Sequence, residues 1–247
     1  EWAYGINYDV PSVRQPLVPL FIALLYKIGI SSLAIIKFLV VLLPSIATVL
    51  FTYLLGKELY NKQIGLISSF IMSVFWVSLF WTTRVSTDLM GLFFSLLAFW
   101  SFWKGYVKKE SPKLFLTITG ISLALGFTTR VGNILTIMII GIFLIFIARR
   151  EIFKYEPIRY LILFSILTVA PYLIWNQVKF GNIFAFWGLY AKSINTFTTP
   201  VYWGFLKFFR LYLFDIFFIF FLLGISTYYR LFLGLDLLLK KKNQELL

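Results

Sequence analysis

The sequence contains neither cysteine nor histidine, and only ten of its 247 residues are acidic. Without cysteine there are no disulfide bonds, no thiol nucleophile and no cysteine-based metal site. Without histidine the chain lacks the most frequent general base and the most frequent metal ligand. Catalysis by this chain would therefore depend on carboxylates, Lys, Arg, Tyr or backbone groups. The sequence predicts no cofactor and no metal site, and leaves open whether a divalent metal assists.

Charged residues are scarce as well, at 13% of the chain, while hydrophobic residues make up 60%. A soluble globular chain is nearer one quarter charged and half apolar. An interior formed by 247 residues cannot bury so much apolar surface, so the natural solvent is lipid. The net charge of +13 comes from basic residues between apolar runs. This distribution argues against nucleic-acid binding, which needs a basic face. The predicted fold is an all-α, polytopic transmembrane bundle.

Seven apolar runs approach the roughly 20 residues that a membrane-spanning helix needs. They lie at about 33–55, 63–82, 88–105, 113–129, 131–148, 158–176 and 208–229. Basic residues concentrate in alternate connections, which the positive-inside rule places in the cytoplasm: 56–62, 104–113, 149–159 and the basic tail 230–247. The connections 82–88, 129–132 and 177–207 then lie outside. The sequence therefore predicts a multi-pass plasma-membrane protein whose domain 33–229 is the helical bundle.

The first apolar segment, residues 16–30, is too short to be an eighth span. About 14 helical residues reach roughly 21 Å, whereas the hydrocarbon core is about 30 Å thick. We interpret it as an interfacial helix that begins at Pro16 and Pro19, within an outer region 1–32. A short tilted span is the alternative, and it would place residues 1–15 in the cytoplasm.

Three arginines, Arg14, Arg84 and Arg130, lie at the predicted outer ends of apolar helices. Two share a local sequence, Thr82-Thr83-Arg84-Val85 and Thr128-Thr129-Arg130-Val131. A guanidinium at a membrane interface suits a phosphate, because its planar fork matches the phosphate oxygens and stays charged. The alternative is that each arginine only anchors a helix end to lipid headgroups.

Asp88 and two asparagines complete the candidate site. Asp88 opens a span four residues after Arg84. It caps that helix, pairs with Arg84, or serves as a catalytic carboxylate that orients a sugar hydroxyl or helps a base. Asn176 and Asn182 lie at and in the long connection 177–207, where amides and aromatic rings are suited to holding a sugar or an acceptor. That connection is equally well explained as an amphipathic cover at the interface.

Four segments together resemble one family. They are Pro11-Ser12-Val13-Arg14-Gln15-Pro16-Leu17-Val18-Pro19-Leu20, Thr83-Arg84-Val85-Ser86-Thr87-Asp88, Gly126-Phe127-Thr128-Thr129-Arg130, and Pro171-Tyr172-Leu173-Ile174-Trp175-Asn176 with Phe180-Gly181-Asn182. In this order they resemble membrane glycosyltransferases of the GT-C fold, of the protein O-mannosyltransferase and aminoarabinose-transferase type. The resemblance covers roughly residues 5–185.

The resemblance implies transfer of a sugar from a polyprenyl-phosphate donor to a protein, lipid or glycan acceptor on the extracytoplasmic face. Arg14, Arg84 and Arg130 would then bind the lipid phosphate. The family has a basic residue just before the first proline, where this chain has Gln15, so Arg14 is expected to take that role. The family's catalytic Asp-Glu motif would precede Glu1, so we expect the sequence to be part of a longer protein.

Two other classes of function remain open. A transporter or lipid flippase would place ionisable residues or broken helices at mid-membrane, whereas here the charges lie near the ends of the apolar runs. A non-catalytic membrane subunit or fragment would share the composition and lack the catalytic motif. The charge distribution favours the enzyme over the transporter.

The predicted topology can be tested by cysteine labelling, because the chain has no native cysteine. We expect Ser12→Cys and Lys108→Cys to react with an impermeant maleimide from opposite sides of the membrane. Labelling of both from the same side would contradict the interfacial interpretation of residues 16–30.

Overall fold

The computed structural model describes residues 15–75, 82, 85–145 and 155–185, and within these the chain is helical with no strand. Its helices are α1 (Leu17–Lys27), α2 (Leu33–Leu59), α3 (Lys62–Val74), α4 (Asp88–Phe102), α5 (Pro112–Thr129), α6 (Ile134–Phe143) and α7 (Ile158–Phe180). The predicted span 208–229, the tail 230–247 and most of the connection 177–207 lie outside the described residues. The all-α membrane bundle predicted from composition is confirmed.

Helix α5 lies at the centre of the described bundle. Helices α4 and α7 pack along it, α2 packs against α4, and α3 packs against α2. Small residues on α5 allow this approach, since Thr119, Gly120, Ser122, Ala124 and Gly126 are all buried. Helix association in lipid depends on such small residues, because lipid tails are as apolar as the helices themselves.

The closest approach is that of α7 to α5 at Gly120. A Cβ atom at this position would overlap the backbone carbonyl of Leu161, which leaves room only for glycine. Ser165 of α7 donates a hydrogen bond of 3.1 Å to the Gly120 carbonyl across the same contact. The two helices are therefore held backbone to backbone.

Helices α2, α5 and α7 are each long and apolar enough to cross a membrane, with mean hydropathies of 2.5, 1.2 and 1.7. Half of α5 is buried in the protein, against 11% of α7, whose outward side carries exposed Ile162, Leu163, Ile166 and Leu167. Such exposed aliphatic side chains are suited to contact with lipid. A π-helical turn, Phe38–Leu42, lies within α2, and Pro44 follows it.

Helix α1 has only 11 residues, so it reaches about 16 Å and cannot cross the hydrocarbon core. Its buried Val18 and Leu25 pack in one cluster with Ile36, Val40 and Val41 of α2 and with Leu89 and Met90 of α4. It therefore lies where α2 and α4 begin. We call this the α1 end of the bundle.

The opposite end is held by ion pairs, and we call it the basic end. Glu58, at the end of α2, pairs with Lys104 and Lys108, which follow α4. Lys104 also pairs with Glu110 at 2.7 Å, and Lys113 of α5 pairs with Glu156, two residues before α7, at 3.2 Å. These pairs join the ends of four helices at the side that the positive-inside rule predicts to be cytoplasmic.

The Gly120 contact yields a stability prediction. Gly120→Ala should lower the free energy of unfolding by about 1–3 kcal/mol, because α7 must move away from α5. Thermal melting in detergent measures the change. Gly141→Ala is the matched control, since a Cβ at Gly141 meets nothing within 4 Å. It should leave the melting temperature unchanged or raise it. Equal destabilisation by both variants would contradict the prediction.

Candidate functional site

Asp88 and Arg130 form an ion pair at the α1 end. Asp88 is the first residue of α4, and Arg130 follows the last residue of α5 in an extended conformation. The guanidinium Nη1 donates a hydrogen bond to Oδ1 of Asp88. The Asp88 side chain is 19% exposed and that of Arg130 is 53% exposed. The arginine therefore presents much of its five-donor guanidinium beyond the carboxylate that orients it.

The pair with Arg130 is one that sequence proximity did not suggest for Asp88. The N-cap of α4 is Thr87, with no side-chain capping hydrogen bond, and Asp88 lies in the first turn. A carboxylate there also interacts favourably with the helix dipole. Arg84 and Arg14 lie outside the described residues. Of the predicted phosphate-binding arginines, the structure therefore describes Arg130 alone.

A side-chain amide holds the two helix ends together beneath the ion pair. Asn133 Nδ2 donates to the backbone carbonyl of Gly91 on α4 at 3.1 Å and to that of Gly126 on α5 at 2.9 Å. Cβ atoms at Gly91 and Gly126 would lie 2.9 Å and 3.1 Å from this nitrogen. Asn133 therefore fixes the spacing between the segments that carry Asp88 and Arg130. Sequence reasoning missed this residue, because its two carbonyl partners come together only in the folded bundle.

The threonine hydroxyls beside Arg130 are directed to their own helix. Thr128 Oγ1 donates to the carbonyl of Ala124 at 3.0 Å, and Thr129 Oγ1 donates to that of Leu125 at 2.7 Å. Both residues are buried. The threonines thus stabilise the end of α5 and leave the guanidinium as the exposed polar group there.

An apolar cavity of about 300 Å³ lies at the same end, between α1, α5 and α7. It is lined by Pro16, Leu17, Leu20, Leu125, Thr128, Thr168, Pro171, Tyr172 and Trp175. Arg130 comes two residues after Thr128, so the cavity wall ends close in sequence to the ion pair. An apolar space at the same end of the bundle as a cationic group suits an amphiphile with an anionic head.

Asn176 and Asn182, predicted to bind a sugar or acceptor, are both engaged locally. Asn176 is buried, interacts with Tyr172 on the same helix, and donates from Nδ2 to the carbonyl of Ile183 at 3.2 Å. The Asn182 side chain accepts from the backbone N–H of Phe184 at 2.8 Å. Both amides therefore shape the turn after α7, where Gly181 has a positive φ of 68°.

Cation-binding groups are sparse in the part of the chain that the structure describes. No three acidic side chains come together there in a potential metal site. Among the described residues, the α1 end offers the carboxylate of Asp88, the guanidinium of Arg130, side-chain amides, hydroxyls, lysine ammonium groups and an apolar cavity.

Comparison with known proteins gives a family and no individual relative. The model of the dolichyl-phosphate-mannose-protein mannosyltransferase family matches residues 9–175, which include α1 to α6, Asp88, Arg130 and most of α7. Neither the curated proteins nor the solved structures give a match. The matched segment covers more than half of the 247 residues. The chain therefore belongs to the dolichyl-phosphate-mannose-protein mannosyltransferase family, whose members are membrane glycosyltransferases.

Proposed function

We propose that this protein transfers mannose from a dolichyl- or other polyprenyl-phosphate donor to a protein hydroxyl on the extracytoplasmic face of the membrane. The donor and the acceptor follow from the family's description. The observation that carries the proposal is that Arg130 and an apolar cavity lie at the same end of the bundle, the α1 end. A lipid phosphate needs a cation for its head and an apolar surface for its chain, and this end of the bundle supplies both.

The cavity size fits the head-proximal part of such a lipid. A volume of about 300 Å³ is at the lower end of the range for small-molecule sites. It would therefore accept the first isoprene units of the donor, while the rest of the chain lies in the bilayer. The walls contributed by α1 and α7 are largely aliphatic and aromatic, as contact with an isoprenoid requires.

The reaction makes one bond and breaks another at the anomeric carbon. The acceptor oxygen attacks this carbon and gives its proton to a carboxylate, while the bond from carbon to the phosphate oxygen breaks. Both electrons of that bond leave with the polyprenyl phosphate, whose negative charge grows during the step. Arg130 would stabilise that growing charge, and stabilisation specific to the transition state is what accelerates a reaction.

Asp88 has two tasks in this scheme. It holds the Arg130 guanidinium in one orientation through the ion pair, and its second oxygen can accept a hydrogen bond from a hydroxyl. Asp88 is our candidate for the carboxylate that orients the acceptor or takes its proton. Asn133 supports both residues by fixing the spacing of α4 and α5.

The described helices also favour an enzyme over a transporter or flippase. Their Lys, Arg, Asp and Glu residues all lie within about two turns of a helix end. Buried polar residues in the middle of these helices are hydroxyls, such as Thr48 bonded to its own helix and Thr119 bonded to Ser101 at 2.9 Å. Transporters place ionisable groups at mid-membrane, and these helices do not.

Arg130→Ala tests the phosphate role directly. Loss of a charge-assisted contact to the departing phosphate should cost about 1.5–3 kcal/mol, or roughly 10- to 150-fold in transfer rate. Arg130→Lys should recover only part of the rate, because it keeps the charge and loses the fork. The measurement is release of dolichyl phosphate from dolichyl phosphate mannose by the full-length protein. Arg159→Ala, at an exposed arginine near the start of α7, is the control. Equal rates for Arg130→Ala and this control would favour simple anchoring.

Exchanging the two charges distinguishes a structural ion pair from a carboxylate that takes part in the reaction. Asp88→Asn should lower the transfer rate by about 10²–10⁴-fold if the carboxylate orients the acceptor or takes its proton. Its effect on melting should be small, since a pair with one exposed partner is worth at most about 1 kcal/mol. The double variant Asp88→Arg with Arg130→Asp restores a pair of opposite charges. We expect it to melt near the wild-type temperature and to remain inactive. Recovery of activity in the double variant would show that the pair is only structural.

A further inference from the structure

Two polar side chains at the α1 end are buried without a hydrogen-bond partner among the described residues. Gln15, directly before Pro16, is 3% exposed, and neither its Nε2 nor its Oε1 is paired. The Ser86 hydroxyl, two residues before Asp88, is buried and unpaired as well. Buried polar groups in folded proteins are almost always paired, so an unpaired amide needs a partner, and a bound ligand would supply one.

Gln15 belongs to the same end of the bundle as the ion pair and the cavity. Its neighbours along the chain, Pro16 and Leu17, line the cavity together with Thr128 of α5. Val18, three residues further on, packs in one cluster with Leu89 and Met90, which directly follow Asp88. The buried amide therefore lies at the start of the helix that joins the apolar cavity to the beginning of α4.

The chemistry of the amide distinguishes a sugar from a phosphate. Nε2 donates hydrogen bonds and Oε1 only accepts them. A phosphate diester carries acceptors alone, so it would satisfy Nε2 and leave Oε1 facing another electron-rich oxygen. A hydroxyl both donates and accepts, and two neighbouring sugar hydroxyls satisfy both atoms of the amide at once.

We propose that Gln15 binds hydroxyl groups of the donor sugar and thereby makes the protein select the sugar-bearing lipid over the bare lipid phosphate. This inference rests on the proposed function, in which Arg130 takes the phosphate and the cavity takes the isoprenoid. It adds a binding residue that neither accepts a proton nor holds the phosphate. Selection against the bare lipid phosphate also matters physically, since that molecule is the product of the transfer and would otherwise compete with the donor.

The test compares the binding of two lipids by the full-length protein in detergent. The lipids are dolichyl phosphate mannose and dolichyl phosphate, and the variant is Gln15→Leu, which removes both polar atoms and keeps much of the volume. We expect Gln15→Leu to weaken binding of the mannosyl lipid about tenfold and to change binding of dolichyl phosphate less than about twofold. Gln177→Leu, at an exposed glutamine near the end of α7, should change neither.

A series of donors, each lacking one mannose hydroxyl, identifies the hydroxyl that Gln15 contacts. For wild-type protein, at least one deoxy donor should bind about tenfold more weakly than dolichyl phosphate mannose. For Gln15→Leu, the same deoxy donor and dolichyl phosphate mannose should bind equally well. The ligand-free Gln15→Leu protein should also melt at a higher temperature, because it no longer buries an unpaired amide. That result excludes loss of folding as the cause of weaker binding.

Three outcomes would overturn the inference. Equal weakening of both lipids by Gln15→Leu would assign the residue to the phosphate or to packing, and unchanged binding of both would leave it without a role. If wild-type protein binds neither lipid, the proposed function fails and this inference fails with it. The first two outcomes leave the proposed function standing, so the two failures are distinguishable.

Discussion

The close contact of α7 with α5 at Gly120 is the constraint on which the described site depends. It places the two backbones against each other, with the Ser165 hydroxyl bonded to the Gly120 carbonyl. Two turns further along, the same pair of helices diverges enough to leave the cavity between Leu125 and Thr128 on one side and Thr168 and Tyr172 on the other. A bulkier contact at Gly120 would separate the walls of the cavity, although no cavity residue would have changed.

The α1 end combines charged and polar groups whose burial near lipid is energetically unfavourable. A guanidinium, a carboxylate and two unpaired polar side chains lie there beside aliphatic and aromatic walls. Hydrogen bonds from Asn133 to two helix carbonyls hold this arrangement from below. Polar groups left unpaired in lipid destabilise a protein, so the unpaired Gln15 and Ser86 side chains at this end call for a partner that the described helices do not supply.

Composition and apolar run length were enough to predict the fold class and most helix positions, because the bilayer imposes one length and one polarity on every span. The short α1 was predictable from Pro16, Pro19 and the limited reach of its apolar segment. The ion-pair partner of Asp88 in the structure could not be predicted from the sequence. Arg84 is its nearest arginine in sequence, whereas Arg130 is 42 residues away and reaches Asp88 only because α4 and α5 pack antiparallel. The role of Asn133 likewise depends on which backbone carbonyls lie opposite its amide, and no periodicity in a single sequence reveals that.

The π-helical turn Phe38–Leu42 has a consequence for how α2 meets its neighbours. Such a turn adds one residue to the helix and so rotates everything after it by about 100° relative to a regular helix. Before and within the turn, the buried side chains Ile36, Val40 and Val41 belong to the cluster with α1. After it, Thr48 and Gly56 are buried, and Gly56 lies against Gly65 of α3. One continuous helix thus presents two differently oriented contact faces, one toward α1 and one toward α3. A substitution on either face can therefore be accommodated locally, without rotating the other face away from its own neighbour.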